Sequence, residues 1–429
     1  MSTQEVLVTG AGVVSSLGRD LDENLAGVQT LRTGLRRSQA SGLPESVLWT
    51  GPAPSVDPLA GLNPRLLPHA KFLNRGALLG LAAAREAVTR AGLDIAAVPP
   101  DRKGAVIAAG DLSKSDMTDF YPAIREATAG KWRTVDAPTL NRASFGGVNP
   151  FFLLETLNNN LFSFLTAVFD IRGSGTSIAG LSPLGAQAVE IACRNVQEGR
   201  VDVALAVGYG SWLNACSLAE LAKLNMLSAG REGARSFRPM DARRDGFFPG
   251  EGGAALLLES ASHARRRGAP HLGRVLGAAS AQEAPNQGKI GQPRAATLRA
   301  ARAALAEARL HPPSLGCVIP HASAERDPDR AEMQALLDLL GPAAPAVPLS
   351  CLKPYTGHMP AASDIAEIAL GLACLAQGLA PASLNFEQPE PGFESLALSG
   401  AHRAPPAKNL LALSSGVGSQ SAALVLTAV

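Results

Sequence analysis

The sequence predicts a layered α/β fold in which helices cover both faces of a mixed or parallel sheet. Short apolar segments with little polar alternation, such as residues 6–10 and 103–109, are typical of strands that are buried on both faces. Segments of helical length separate these strands, and such alternation favours an α/β architecture. The composition indicates a folded protein, since 46% of the 429 residues are hydrophobic and 18% are charged.

The first half of the chain begins with a predicted strand at residues 6–10 that enters a glycine turn. An Ala/Leu-rich helix at 75–92 and a strand at 103–109 follow. Residues 110–150 are rich in Gly, Pro, Asp and Ser and are expected to form a long, irregular surface excursion. The half then continues with an extended segment and alternating helices and strands, at 171–179, 183–198, 201–207, 216–227 and 254–258.

The second half repeats a similar order of elements. The predicted segments are a strand at 271–279, a helix at 294–308, a strand at 317–319, a helix at 328–340, a strand at 347–351, a helix at 361–377 and strands at 410–414 and 422–427. Because both halves open with a strand and continue alike, we expect an internal duplication. The predicted division is 1–268 and 269–429.

Charge, hydropathy and cysteine usage exclude several classes of function. The net charge of +2 shows no excess of basic residues of the kind that nucleic-acid-binding proteins carry. No apolar run approaches the roughly 20 residues that a membrane-spanning helix needs. The start of the chain lacks a secretory signal pattern. The chain has five scattered cysteines and no C-x-x-C pair: Cys193, Cys216, Cys317, Cys351 and Cys374. This pattern predicts neither a disulfide framework nor a metal site, and it favours a cytoplasmic location. The turn at 10–18 has G-x-G-x-x-S spacing, which disfavours a dinucleotide site.

Ser182 lies where an extended segment ends in a sharp turn and a helix begins. Pro183 suits the first helical position, so the hydroxyl is expected at a helix N-terminus, where free N–H groups favour negative charge. On local grounds Ser182 is either a helix N-cap or a nucleophile.

Three further segments follow predicted strands. His321 comes after the strand at 317–319, and residues 350–358 carry Lys353 and His358. Residues 413–421 form a glycine-rich turn. Open α/β sheets bind ligands at the carboxyl ends of their strands, although a lone histidine in such a loop is more often structural.

Several motifs in this order resemble the β-ketoacyl-acyl-carrier-protein synthases, the condensing enzymes of fatty-acid and polyketide assembly. They are the opening turn at 8–18, Ser236-Phe-Arg-Pro-Met-Asp241, residues 244–253, His321 and Lys353-Pro-Tyr-Thr-Gly-His358. The resemblance implies a thiolase-like five-layer α/β/α/β/α fold with internal pseudo-duplication.

The resemblance also implies roles for individual residues. The catalytic set would be Ser182, His321, His358, Lys353 and Glu367, with Lys353 and Glu367 as a buried ion pair behind the histidines. The backbone N–H groups of Ser182 and Val417 would form an oxyanion hole, and the substrate contacts would be Ser323, Gly416, Val417 and Gly418.

Three departures from the family pattern bear on function. Ser182 stands at the position of the nucleophilic cysteine, His321-Ala-Ser-Ala-Glu325 replaces H-G-T-S-T, and residues 416–419 lack the gate phenylalanine. A helix N-terminus can lower the pKa of a cysteine enough to give thiolate, whereas a serine needs a base. We therefore expect Ser182 to use His321 or His358 as its base.

Three functions follow from this pattern. The first is an acyltransferase of the β-ketoacyl synthase type with a Ser-His-His site. The second is a non-acylating subunit similar to a chain-length factor, which pairs with a cysteine-bearing ketosynthase; residues 329–332 and 420–423 resemble such subunits. The third is a dimeric scaffold or acyl-chain binding module.

The resemblance further implies an acyl carrier protein as partner, with its phosphopantetheine arm as substrate carrier and no bound cofactor. A homodimer, or a heterodimer with a ketosynthase, would form through the strand before Ser182, near the apolar segment 149–160. Some arginines are either contacts for an acidic carrier protein or solvated surface charges: Arg37, Arg243 and 265–267.

Overall fold

The computed structural model describes residues 4–38, 49–110, 120–155, 157–284 and 293–429. The strands are β1 (Val6–Val14), β2 (Arg36–Arg37), β3 (Trp49–Thr50), β4 (Lys103–Ala109), β5 (Gly175–Ala179), β6 (Val203–Ser211), β7 (Glu251–Ser260), β8 (Gly273–Gln282), β9 (Leu315–Ile319), β10 (Pro348–Leu349), β11 (Ala397–Leu398), β12 (Asn409–Ser415) and β13 (Gln420–Ala428). The helices are α1 (Leu21–Gln29), α2 (Arg75–Arg90), α3 (Tyr121–Ala127), α4 (Ala137–Gly147), α5 (Phe152–Glu155), α6 (Asn160–Phe169), α7 (Leu184–Gln197), α8 (Ala215–Lys223), α9 (Ala261–Arg266), α10 (Arg294–Ala308), α11 (Arg326–Leu340), α12 (Lys353–Thr356) and α13 (Pro360–Ala376).

Strand order repeats between the two halves of the chain. Within the described residues, eleven strands form one sheet in the order β11-β10-β9-β12-β13-β8-β1-β7-β6-β4-β5. From the centre outwards, the first half runs β1-β7-β6-β4-β5 and the second runs β8-β13-β12-β9-β10-β11. In each half the two inner pairings are antiparallel and the pairings farther out are parallel. The halves join where residues 6–8 pair with residues 273–275. The division into domains 1–268 and 269–429 stays a prediction.

The two halves of this sheet and the helices that pack on them form five layers. Helices α7 and α13 contact strands of both halves and form the middle layer. Helix α2 covers the outer face of the first half, and α10 and α11 cover that of the second. Along β4, Val106 and Ala108 face the middle layer while Ile107 faces α2. Both faces of the strand are therefore apolar, which explains why its sequence shows no polar alternation.

The predicted strands and helices agree with the structure except in two regions. Residues 11–14, which were expected in a glycine turn, continue β1 and pair with β7. Residues 110–150 were expected to be irregular, yet α3 and α4 lie within them, while 111–119 lie outside the described residues. Helix α4 begins where the Asp136 side chain accepts a hydrogen bond from the Thr139 N–H, with Pro138 in the first turn. These capping signals outweigh the high content of turn-forming residues.

Glycines allow α13 to approach β6 and α7 closely. A side-chain carbon added to Gly208 of β6 would lie 2.5 Å from the carbonyl oxygen of Ala361, and one on Gly185 of α7 would lie 2.2 Å from the same oxygen. Helix α13 is buried along almost its whole length, from Pro360 to Leu375. The position of this helix therefore depends on the absence of side chains at both glycines.

We expect Gly208→Ala to lower the free energy of unfolding by about 1–3 kcal/mol, because the backbone of α13 must move to admit the methyl group. Urea denaturation measures the change. The matched control is Gly146→Ala in α4, where nothing lies within 4 Å of the added carbon. The control is expected to be neutral or slightly stabilising. Equal stability of both variants would contradict the packing of α13 against β6.

Candidate active site

The turn between β5 and α7 buries Ser182, whose side chain does not cap the helix. Helix α7 begins at Leu184 with Pro183 as its N-cap residue, one position later than expected. The Ser182 hydroxyl instead donates to Asp364 Oδ1 at 2.7 Å. The interpretation of Ser182 as a helix N-cap is therefore wrong, and the hydroxyl is held by a carboxylate rather than by the histidine expected as its base.

Asp364 is a site residue that no motif of the sequence indicated. It lies on α13, and its Oδ2 accepts a hydrogen bond from the Gly185 N–H of α7 at 3.0 Å. Burial raises the pKa of Asp364, while Lys353 and the hydrogen bond from Ser182 oppose the rise. One signal was available: a carboxylate within a long apolar helix must find partners when that helix is buried.

His321 and His358 lie side by side, with ring centroids 5.5 Å apart. His358 also packs against Trp212 and Phe247, at centroid distances of 4.8 and 5.0 Å. Burial lowers the pKa of both imidazoles well below the usual value, and the nearby Lys353 ammonium lowers it further. Both rings are therefore neutral at neutral pH. Among the described residues, neither buried Nδ1 atom has a hydrogen-bond partner.

Two buried carboxylates of α11 hold the loop that carries His321. Glu332 accepts from the backbone N–H groups of His321 and Ala322, at 2.7 and 2.8 Å, and Asp329 accepts from that of Ala324 at 3.0 Å. Ala322 and Ala324 have φ values of 48° and 68°, in the left-handed region that favours glycine. The carboxylates hold the loop in this conformation and so fix the position of His321.

Lys353 and Glu367 form the predicted buried ion pair. Lys353 Nζ lies 3.0 and 3.1 Å from the two carboxylate oxygens of Glu367. The ammonium also donates to the backbone carbonyl of His321, so the pair lies directly behind the histidine loop. Burial raises the pKa of Glu367 to about 7, and the Lys353 charge opposes this rise.

A cavity of about 160 Å³ brings most of the predicted site residues together. Its lining includes Ser182, His321, Ser323, His358, Gly416 and Val417, whereas Gly418 lies in the same turn outside the lining. The remaining wall is largely apolar: Leu181, Trp212, Leu221, Leu224 and Met226. Glu325 also lines the cavity, and burial raises its pKa to about 7.

The glycine turn between β12 and β13 lies directly against the Ser182 turn. A side-chain carbon on Gly416 would lie 2.2 Å from the Ser182 carbonyl oxygen, so only glycine fits there. Val417 is 46% exposed at the edge of the cavity. The two turns thus face each other as expected, and the oxyanion hole of Ser182 and Val417 stays a prediction.

Two family profiles match the chain. The profile of the β-ketoacyl synthase N-terminal domain matches residues 3–264, and that of the C-terminal domain matches residues 272–387. The chain belongs to the β-ketoacyl synthase family.

Its relatives within this family include several proteins of polyketide biosynthesis. A putative polyketide β-ketoacyl synthase 1 of Streptomyces cyaneus is 29% identical over 430 residues, which cover 99% of this chain and 98% of the relative. The tetracenomycin polyketide synthase ketoacyl synthase beta subunit of Streptomyces glaucescens is also 29% identical, over 98% of both chains.

Solved structures confirm the thiolase-like fold. A ketosynthase complex with its type II polyketide acyl-carrier protein matches with a TM-score of 0.83 and 23% identity over 100% of both chains. The ishigamide ketosynthase/chain length factor matches with a TM-score of 0.80 and 23% identity, again over 100% of both chains.

In this β-ketoacyl synthase chain, no cysteine stands in for the nucleophile among the described residues that line the cavity. Cys193 on α7 is buried, and burial raises the pKa of its thiol to about 12.

Within the described residues, no cluster of three or more metal-ligating side chains occurs. No helix in the same residues is long and apolar enough to cross a membrane.

We expect Lys353→Met to lower the free energy of unfolding by about 3–5 kcal/mol, because it leaves the Glu367 carboxylate buried without its cation. Urea denaturation followed by circular dichroism measures the loss. The double variant Lys353→Met/Glu367→Met removes both charges and is expected to recover most of the stability. A single variant as stable as the wild type would contradict the ion pair.

Proposed function

We propose that this chain is a β-ketoacyl synthase-type acyltransferase of polyketide or fatty-acid-type biosynthesis in the cytoplasm. It would act on acyl chains borne by the phosphopantetheine arm of an acyl carrier protein. The observation that carries this proposal is the shared cavity of Ser182, His321 and His358, with the Lys353–Glu367 pair behind it. A subunit that catalyses no reaction has no chemical need of buried histidines beside a buried ion pair.

The two neutral histidines would stabilise negative charge that develops on a thioester oxygen. Each ring lines the cavity while its Nδ1 is buried, so the donor that reaches the substrate is the Nε2–H. Decarboxylation of a malonyl thioester creates an enolate oxygen, and donors fixed in an apolar site stabilise such an oxygen strongly. Burial, aided by the Lys353 charge, keeps both imidazoles unprotonated and so preserves this geometry.

Acyl transfer would begin at Ser182. The Oγ atom attacks the thioester carbonyl carbon, the carbon–sulfur bond breaks, and the hydroxyl proton passes to Asp364 Oδ1, its hydrogen-bond acceptor. The proton then moves to the departing pantetheine thiolate. An oxygen ester at Ser182 remains as the acyl donor for the second step.

One observation favours a second candidate, the non-acylating subunit similar to a chain-length factor. The Ser182 hydroxyl is buried and held by a carboxylate. Ketoacyl synthase alpha and beta subunits of tetracenomycin polyketide synthase are each 29% identical to this chain, so sequence identity does not separate the two functions. In this second function the chain would pair with a cysteine-bearing ketosynthase and shape the product tunnel.

Both candidates imply a dimer, with a second copy or with a ketosynthase. Strand β5 ends the sheet and pairs with β4 on one side only within the described residues. The Ser177 hydroxyl donates to the Asn158 carbonyl at 3.1 Å, which ties the segment 149–160 to this edge. Exposed apolar side chains lie in the same part of the chain: Phe145, Phe151, Leu154 and Leu157. An edge strand beside exposed apolar groups favours association.

A carrier protein would find few free arginines among those suggested by the sequence. Arg243 pairs with Asp241 and Glu387, Arg265 pairs with Glu5, and Arg267 pairs with Glu259. Arg37 and Arg266 are exposed and remain candidates for an acidic partner.

If Ser182 is the nucleophile, the wild type should gain the mass of one acyl group when incubated with acyl-loaded carrier protein. Ser182→Ala should gain none, because no oxygen remains to form the ester. Intact-protein mass spectrometry measures this. Ser217→Ala is the matched control, since it removes another serine hydroxyl from the same cavity, and it should be acylated. An unacylated wild type, with normal product from Ser182→Ala and a cysteine-bearing partner, would establish the second candidate instead.

We expect light scattering at micromolar concentration to give the mass of a dimer, alone or after co-expression with a ketosynthase. Thr176→Asp should weaken a dimer of two copies of this chain, because it places like charges close together across the β5 edge. Thr89→Asp, at an exposed position of α2, is the control and should leave the mass unchanged. A monomer under both conditions would contradict the proposed interface.

A further inference from the structure

Asp364 joins three elements of the site through its two carboxylate oxygens. Oδ1 accepts from the Ser182 hydroxyl of the turn, and Oδ2 accepts from the Gly185 N–H in the first turn of α7. The Ala186 N–H and the Ser414 hydroxyl of β12 also stabilise the carboxylate. Asp364 therefore occupies the anion position at the N-terminus of a 14-residue helix.

The contacts of Asp364 are those of an ionised carboxylate. Oδ2 accepts from the Gly185 N–H, which can only donate, and Oδ1 accepts from the Ser182 hydroxyl. Together with the Ala186 N–H and the Ser414 hydroxyl, the Ser182 contact stabilises the ionised form and opposes the rise in the pKa of Asp364 that burial causes. Helix α13 cannot withdraw from α7 without opening the contact at Gly185, whose absent side chain lets the two helices meet. The carboxylate is thus buried beside position 182 and held there by its hydrogen bonds to the turn and to α7.

The consequence concerns the charge that position 182 can carry. A thiolate or alkoxide there would normally be stabilised by the free N–H groups of the helix N-terminus. In this chain those groups already bind the Asp364 carboxylate. A second negative charge at hydrogen-bond distance from the first is strongly disfavoured in a buried site.

We infer that Asp364, besides accepting the Ser182 proton during attack, holds the side chain at position 182 in its protonated form in the resting site and makes this turn incompatible with a cysteine thiolate. The inference deepens the proposed function, on which it rests for the role of Ser182 as the attacking group. It explains why a serine stands here: its proton is donated to Asp364 in the resting site and leaves only as the thioester carbonyl is attacked.

Other titratable groups also face this position. Asp364 and Glu367 approach from α13, and Lys353 lies behind the two histidines. His321 and His358 line the same cavity as Ser182, and so do Glu220 and Glu325. Of these groups, Asp364 is the one in hydrogen-bond contact with Ser182. Removal of its charge alone is therefore the direct test.

The test compares the alkylation of a thiol at position 182 with and without Asp364. Ser182→Cys and Ser182→Cys/Asp364→Asn are treated with iodoacetamide from pH 5 to pH 10, and peptide mass spectrometry follows residue 182 separately from the five native cysteines. We expect the single variant to react with an apparent pKa above about 8.5, the ordinary value for cysteine. The double variant should show a lower apparent pKa and react at least about tenfold faster at pH 7, because the helix N-terminus is then free.

Two further variants control for folding and for charge in general. Ser182→Cys/Asp327→Asn removes a carboxylate from the first turn of α11 and should keep the profile of the single variant. Ser182→Cys/Asp364→Ser keeps a hydroxyl at position 364 without the charge. It replaces Ser182→Cys/Asp364→Asn if that variant fails to fold, and it should show the same lower apparent pKa and faster alkylation. Fast alkylation of Ser182→Cys at pH 7, or a profile that does not change when Asp364 is replaced, would overturn the inference. If the wild type is not acylated, only the proposed acyl transfer is refuted. The alkylation profiles of the cysteine variants are expected to stay the same.

Discussion

Two carboxylates on one buried helix determine the arrangement of the whole site. Asp364 and Glu367 are three residues apart on α13, so they point to the same side of a helix that has no access to water. Each must therefore find compensating groups inside the protein. Glu367 is paired with Lys353, and Asp364 binds Ser182 and the first amides of α7. The ion pair lies behind one histidine loop, and the second carboxylate binds Ser182, which lines the cavity.

The chemical character of the cavity follows from these buried charges. Burial lowers the pKa of both imidazoles, and the nearby Lys353 charge lowers it further. The histidines are thus neutral donors and acceptors, suited to stabilising an oxyanion or enolate rather than to holding a permanent charge. Ser182, by contrast, is set beside a negative charge. This chain of the β-ketoacyl synthase family therefore combines two buried, neutral histidines with a position at which a thiolate is disfavoured.

Much of this was predictable from the sequence, because the decisive signals are local. The strands of both halves carry apolar runs, and Ser182, His321 and His358 each follow a strand, so that their convergence at one edge of the sheet could be expected. The ion pair of Lys353 and Glu367 was implied by the resemblance of the Lys353–His358 motif to the family. The contact of Asp364 with Ser182 could not be read in this way, since it joins residues 182 positions apart through the packing of α7 on α13. Helix α4 was missed because its capping residue Asp136 was interpreted as a turn residue, and α3 was missed because no side-chain cap marks its start.

The protonation and contacts of Asp364 test the central claim most directly, and a crystal structure at atomic resolution measures both. At neutral pH we expect the two carbon–oxygen bonds of the Asp364 carboxyl to be equal in length, as in an ionised carboxylate, with the Ser182 hydroxyl at hydrogen-bond distance from Oδ1. Unequal bonds would identify a protonated carboxyl that places no negative charge beside Ser182. A Ser182 side chain turned towards His321 or His358 would contradict the claim as well.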